Sequence, residues 1–377
     1  MLAAYLALYV GSIFILIWIG GNSSHTASKC TDSYRAKART PENSIDSCHM
    51  GERFKALIGI SLLNLCDLNL GGKTYYVEGM LWLKYHRLPE WLDHWDKEII
   101  SCPVKALRFV NNVYKQDLDL ELEPSSPVED VDGLQIQWLK FSGTFVADRL
   151  DLRRFPFETI RLPIEVELED MYASETDLDY MRSGSLMASG GDLSGYILKG
   201  THVNQSIHTY RTNWGWVTAE ACNNDKDLAE FDNIRVDVEY SRSPKSSFLN
   251  IFLPLAMIMC VVLWVPLIDI HQHENRVVLP ASVLLVLVFL QDGYKKILPP
   301  GLSYPTLADL IYATCFILAI GVFAWGVLTA NEYLSLANAT QIAIDAINAR
   351  GRQMFIVNIL YLAIAVTAIL RFTGRKG

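Results

Sequence analysis

The chain lacks the short patterns on which an enzymatic reading usually rests. It has no HExxH, no GxSxG and no Walker-type phosphate loop, and without one of these its scattered Ser, His and Asp residues do not argue for catalysis. An enzyme is not expected, and neither is a cofactor or a resident metal. Cysteine is sparse: the seven, at positions 30, 48, 66, 102, 222, 260 and 315, have neither zinc-ribbon nor redox CxxC spacing. Basic residues are the minority, 33 against 41 acidic for a net charge of −8, which argues against nucleic acid as a partner. No internal repeat is visible.

What is present is a change of composition near Phe248. A polar region with strand-like patterning precedes it, and four apolar runs come after it, at 248–268, 277–291, 307–328 and 354–370. Runs of this kind read as membrane-crossing helices, two of them comfortably and two with amphipathic ends. Helices are the expected form, because four spans cannot close a barrel. A transmembrane domain is placed at 245–377, with helices over 248–268, 275–293, 305–329 and 351–372. Charge divides at the same point: 35 acidic and 25 basic residues lie before Phe248, 6 and 8 from it onward. An acidic exported domain enriches cations near its surface, and it is also what plain solubility requires.

Residues 1–20 are apolar with no basic residue ahead of them and no clear cleavage box, so they read as a signal peptide or an uncleaved N-terminal anchor. Either sends the adjoining polar region out of the cytoplasm. Residues 21–53 form an N-terminal extension. Five cysteines fall in the exported part, and an odd number leaves at least one unpaired. Cys30 with Cys48 would close a polar loop in an oxidising compartment, but pairing among these two and Cys66, Cys102 and Cys222 stays open. With the exported part outside, Arg350 and Arg352 fall on the inner side, while Lys295, Lys296, Arg371, Arg375 and Lys376 fall outside, against the positive-inside bias.

Between residues 54 and 244 short β-branched and aromatic runs alternate with turn clusters, as in an all-β, immunoglobulin-like sandwich. The clearest strands are 57–65, 74–85, 134–146, 162–168, 195–202, 207–217 and 234–240; residues 183–195 are a Gly- and Ser-rich loop. The second apolar run has a further pattern. Val278, Ser282, Leu285, Phe289, Asp292 and Lys296 succeed one another in steps of four and three, so on a helix they share one face. Charged side chains at membrane depth cost roughly 2.5–3.5 kcal/mol on insertion scales, so Glu274, Arg276 and Asp292 are expected to face water, a partner or the interface. One helix cannot enclose water, but a symmetric ring of identical helices can.

These residues resemble the prokaryotic members of the pentameric ligand-gated ion channels, the Cys-loop receptor superfamily. The resemblance spans residues 54–377 and rests on ordered motifs. They are Arg108-Phe109-Val110-Asn111, Phe155-Pro156-Phe157-Glu158, Arg242-Ser243-Pro244 before a first helix containing Pro254, the pattern from Glu274 to Pro299, and Tyr304-Pro305-Thr306. The disulfide that names the superfamily is missing, since its two positions hold Asp148 and Leu162, and the inner loop near 330–350 is short.

The resemblance implies a homopentamer in a plasma (bacterial inner) membrane, with the sandwich on the extracytoplasmic side and the second helix lining a pore for monovalent cations. Pore-lining positions are then Glu274, Val278, Ser282, Leu285, Phe289, Asp292 and Lys296. A ring of Leu285 and Phe289 would gate by dewetting. Glu274 would set selectivity, with an intra-ring Arg276–Glu274 salt bridge and the Lys296 ring as opposing influences, and Pro280 is an expected kink. Coupling would use Asp67, the Phe155-Pro156-Phe157-Glu158 loop, Arg242 and Pro299, although Asn69 stands where the family carries its first-hairpin carboxylate. A small extracellular ligand would meet Glu167, Glu169, Tyr172, Trp214, Trp216 and Phe231, where acidic and aromatic groups suit an ammonium and core packing is the competing role. Gating by a small ligand, by protons or by divalent ions stays open. His271 and His273 fit either a pH- or metal-sensitive inner ring or simple interfacial placement. An anion-selective channel of the same type and a non-conducting membrane-anchored sensor are the alternatives.

Overall fold

The computed structural model describes residues 11, 37–38, 54–86, 103–113, 117–123, 126–169, 173, 176–181, 186–187, 193–210, 229–336 and 341–374. By contacts the chain divides into two units. One holds Ser28–Leu150 and Thr159–Ser241; the other holds Met1–Ala27, Asp151–Glu158 and Arg242–Gly377. The eight-residue segment Asp151–Glu158 thus groups with the helices, although sandwich strands flank it in sequence.

The described residues of the first unit are mainly β, with one short 3-10 turn at Pro103–Ala106. Its strands are β1 (Lys37–Ala38), β2 (Phe54–Asn69), β3 (Thr74–Tyr85), β4 (Leu107–Phe109), β5 (Asp119–Leu122), β6 (Val128–Glu129), β7 (Gln135–Val146), β8 (Thr159–Leu168), β9 (Thr176–Tyr180), β10 (Tyr196–Tyr210) and β11 (Ala229–Arg242). One sheet runs β1-β10-β11-β8-β4, and the other runs β5-β7-β3-β2-β9 with β6 added beside β7. All the ladders with a resolved register are antiparallel except β2 with β9, which is parallel. Strict alternation produces the core: Tyr75, Val77, Leu81 and Leu83 of β3 turn inward at every second residue, as a period of two requires. They meet Leu162, Ile164 and Val166 of β8 and Val236 and Val238 of β11 in one apolar layer. Gly59 in β2 stands opposite Trp82. A Cβ there would enter the indole ring, so only glycine lets that ring lie across the neighbouring strand.

Two strand expectations change. The break expected between strands at 195–202 and 207–217 is absent, since β10 runs unbroken through 196–210; residues 203–206 are mostly polar yet stay in the ladder because hydrogen bonding, not apolar alternation, continues it. The hairpin turn after β2 also departs from simple pairing. Asp67 and Lys73 adopt left-handed φ values of 52° and 55°, and the register shifts between Cys66 and Asn69. Asn69 Oδ1 accepts from Gly72 N at 2.9 Å, which commits that side chain to the turn.

Among the described residues, four helices in the second unit are long and apolar enough to cross a membrane, Pro244–Leu267, Ile270–Lys295, Leu307–Ser335 and Gln341–Ile369, and the chain is a multi-pass membrane protein. The first helix opens through a π-turn at Phe248–Phe252, where Leu253 N bonds Phe248 O, directly before Pro254, whose missing N–H would otherwise interrupt an α-ladder. Helical geometry runs unbroken from His273 to Lys295 through Pro280. Pro280 frees the Arg276 carbonyl from its helical bond, and Gly326 of the third helix lies against that oxygen so closely that a Cβ would collide with it. The third helix starts in a capping box: Thr306 Oγ1 accepts from Asp309 N at 3.2 Å, and Asp309 Oδ2 accepts from Thr306 N at 2.9 Å. It is the most enclosed of the four, burying Leu310, Leu318, Ala319, Val322 and Trp325. The short inner loop expected near 330–350 is largely helical, with the third helix reaching Ser335 and the fourth beginning at Gln341. Outward-facing Leu253, Met257, Val261 and Trp264 on the first helix and Ile356, Leu360 and Ile364 on the fourth give these helices apolar outer faces.

Candidate functional site

The second helix separates its faces cleanly. Arg276, Pro280, Val283, Leu287 and Tyr294 are its buried residues. At about 100° per residue they cluster on one side. Glu274, Val278, Ser282, Leu285, Phe289, Asp292 and Lys296 are all exposed on the single chain and fall on the opposite side, about 180° away. Leu285 and Phe289 are 60% and 67% exposed, the largest apolar groups on that face. Ser282 Oγ donates to Val278 O at 2.9 Å. At the end nearer Pro299, Lys296 Nζ pairs with Asp292 Oδ2 at 2.7 Å, and this carboxylate raises the affinity of Lys296 for its proton. Glu274, at the other end, has no ion-pair partner among the described residues. The stripe therefore carries compensated charge at one end and net negative charge at the other.

Arg276 does not join that stripe. Its side chain is fully buried and turned to the packed face, where Nε donates to Ile268 O at 2.7 Å and Nη2 donates to Ile268 O and, at 3.0 Å, to Asn348 Oδ1. The guanidinium lies 5.1 Å from the centre of the Trp325 ring. Glu274 and Arg276, two residues apart, leave the helix about 200° from one another. Beside this cluster, His271 Nδ1 lies 3.2 Å from Tyr333 Oη and the His273 ring packs on Tyr333, so both histidines are engaged at the helix start. Among the described residues no group of His, Cys, Asp and Glu could hold a metal ion.

The Phe155-Pro156-Phe157-Glu158 segment forms a second constellation within the helical unit. Arg153 O accepts from Leu307 N at 2.8 Å and Phe155 O from Ala308 N at 3.1 Å, which ties the loop to the start of the third helix. Ser247 Oγ donates to Pro156 O at 2.8 Å, tying it to the first. The Phe155 ring stacks on Tyr294 of the second helix with centroids 6.2 Å apart, and Phe157 stacks on Phe252 at 5.5 Å. Arg242 Nη1 donates to Glu158 Oε1 at 3.0 Å, and the same guanidinium lies over the Phe155 ring. One short loop thus touches three helices. Pro299 is buried in the turn after the second helix. Asp67 belongs to the β unit, in the bulged end of β2.

Of the residues expected to meet ligand, Tyr172, Trp214 and Trp216 lie outside the described residues, as do Cys30, Cys48, Cys102 and Cys222. Cys66, Cys260 and Cys315 are free thiols. Glu167 is buried on β8, and Phe231 is buried on β11. Two side chains of β10 that sequence reasoning passed over complete the cluster. Tyr210 Oη donates to Glu167 Oε1 at 2.7 Å, and His208 Nδ1 lies 3.2 Å from Glu167 Oε2. Tyr210 meets Phe231 edge to face at 5.7 Å. The period-two signal was available, since His208 and Tyr210 share a strand face, but the strand order β10-β11-β8 that brings them to Glu167 was not. Glu169 instead pairs with Arg108 at 3.5 Å, a half-exposed contact.

Next along the same face of β8, Glu165 accepts from Arg235 Nη1 at 2.5 Å, and Arg235 Nε also donates to Asp237 at 2.9 Å. Burial pushes the Glu165 carboxyl above its ordinary range despite that arginine, with Asp148 and Asp237 adding to the rise. No family model matches the chain, and no curated protein matches it either.

Proposed function

We propose that the protein is a ligand-gated, cation-selective ion channel, a homopentamer of the type its motifs resemble, set in a bacterial inner membrane with the β unit on the extracytoplasmic side. One observation carries the proposal: on the single chain the second helix keeps an exposed stripe of Glu274, Val278, Ser282, Leu285, Phe289, Asp292 and Lys296 opposite its packed face. Lipid is a poor partner for three charges and a serine on one side of a membrane-length helix. Copies of the helix around an axis would give that stripe water to face. In such a ring Leu285 and Phe289 form the narrow apolar zone that closes by dewetting, and Glu274 supplies the uncompensated negative charge that favours monovalent cations. The Asp151–Glu158 loop, continuous in sequence with β8, bonded to two helices and stacked on a third, is the coupling segment of this reading. The small ligand acts, on this reading, at the carboxylate of Glu167, set among Tyr210, Phe231 and His208.

Reconstituting the full chain in planar bilayers tests this. Pentamers by native mass spectrometry and unitary currents evoked by small amines or by acidification are the expected result. Verified pentamers that stay silent across a ligand and pH screen would overturn conduction.

A further inference from the structure

The inner end of the second helix is held by one amide from the fourth. Asn348 Oδ1 accepts from Ile270 N at 3.1 Å and from Arg276 Nη2 at 3.0 Å, while its Nδ2 donates to Asp269 Oδ2 at 3.3 Å. Asp269 Oδ1 in turn accepts from His271 N at 2.9 Å, so a single side chain closes the turn between the first two helices and grips the arginine behind it. Among the described residues Arg276 has no carboxylate within bonding distance: its acceptors are Ile268 O and Asn348 Oδ1, its guanidinium lies over the Trp325 ring, and Nη1 is buried with no hydrogen-bond partner. A fully buried cation with so few partners is close to the least that can keep it inside. Long cationic side chains left without partners near a helix end extend toward the nearest water. The start of this helix is exposed, and Glu274 sits there two residues away.

We infer that Asn348 is a selectivity-positioning residue. It keeps the Arg276 guanidinium on the packed side of the second helix, so that the charge presented at the inner mouth is that of Glu274 alone. The inference rests on the pore reading above. It goes beyond it by assigning control of the inner-mouth charge to a side chain of the fourth helix that never touches the permeant ion. Asp269 is the second part of the device, since it orients the amide so that the carbonyl oxygen, not the nitrogen, faces Arg276.

The test has two arms on the full-length assembly in lipid. In the first, Asn348→Ala and the milder Asn348→Ser are exposed to an arginine-directed dicarbonyl, and labelling at residue 276 is mapped by mass spectrometry. Wild type is expected to be protected and both variants labelled; continued protection would overturn the clamp, whether or not the protein conducts. In the second arm, reversal potentials under a KCl gradient are expected to move toward the chloride potential in both variants, with the potassium-to-chloride permeability ratio falling severalfold and unitary currents persisting. Labelling without a change of ratio would overturn the selectivity role. If Asn348→Ala fails to assemble, Asn348→Ser together with Asp269→Asn supplies the same two readouts. A silent wild type with protected Arg276 would sink the channel reading and the selectivity role with it, and would leave the clamp itself measured.

Discussion

The Arg242 guanidinium and the Glu158 carboxylate form an ion pair of 3.0 Å in which the glutamate side chain has no exposure and the arginine little. The same guanidinium lies over the Phe155 ring, 5.1 Å from its centre. Such a pair is held by desolvated partners on both sides, unlike the half-exposed Arg108–Glu169 contact in the β unit.

Replacing Arg242 with Gln would leave the Glu158 charge buried without its cation. Breaking one side of a buried pair costs about 3–5 kcal/mol. A lowered midpoint for thermal unfolding is expected, while Arg108→Gln should change it little. Equal effects would show that the buried pair has no special weight.

Glu274→Ala removes the carboxylate that lacks an ion-pair partner from the exposed stripe. Cation preference should fall in reversal-potential measurements, and Asp292→Asn, which opens the Lys296 pair, should shift selectivity less. On the channel reading proposed above, an unchanged permeability ratio in Glu274→Ala would assign ion selectivity to other residues.

Leu285→Ala shrinks the apolar zone of the stripe without touching the packed face of the helix. Dewetting depends on the width and polarity of a constriction, so the variant should open at lower agonist or proton concentration and leak at rest. An activation curve that overlays wild type would remove Leu285 from the gate.

Glu165 supplies a pH prediction. Its carboxyl is raised above the ordinary range in the folded state, chiefly by burial. The folded chain therefore holds this proton more tightly than the unfolded chain. This contribution to stability is full below the unfolded pKa and is lost as pH rises through the folded value. Thermal melts of Glu165→Gln should accordingly show a smaller loss of stability than wild type as pH climbs above the ordinary carboxylate range. Parallel pH profiles would refute the linkage.

Much of this architecture was legible in the residues. The strand expected at 74–85 is the strand observed, because its aromatic and β-branched residues suit a half-buried pleated ladder. The spacing from Val278 to Lys296 placed those positions on one helical face, and Glu274 with them, because the helical repeat is nearly constant. What was not legible depends on contacts between distant segments. His208 and Tyr210 reach Glu167 only through the order of three strands, and Asn348 reaches Arg276 across 72 residues.

The sequence by itself determined where membrane-length helices lie, which face of the second helix is polar, and that a β unit precedes them. Each of these comes from local periodicity and the cost of unpaired polar groups in hydrocarbon. Tertiary structure alone decided which charges count. It turned Arg276 inward against Ile268, Asn348 and Trp325 and left Glu274 outward, because a charge takes its role from the partners packed around it, and those partners come from segments that no local pattern connects.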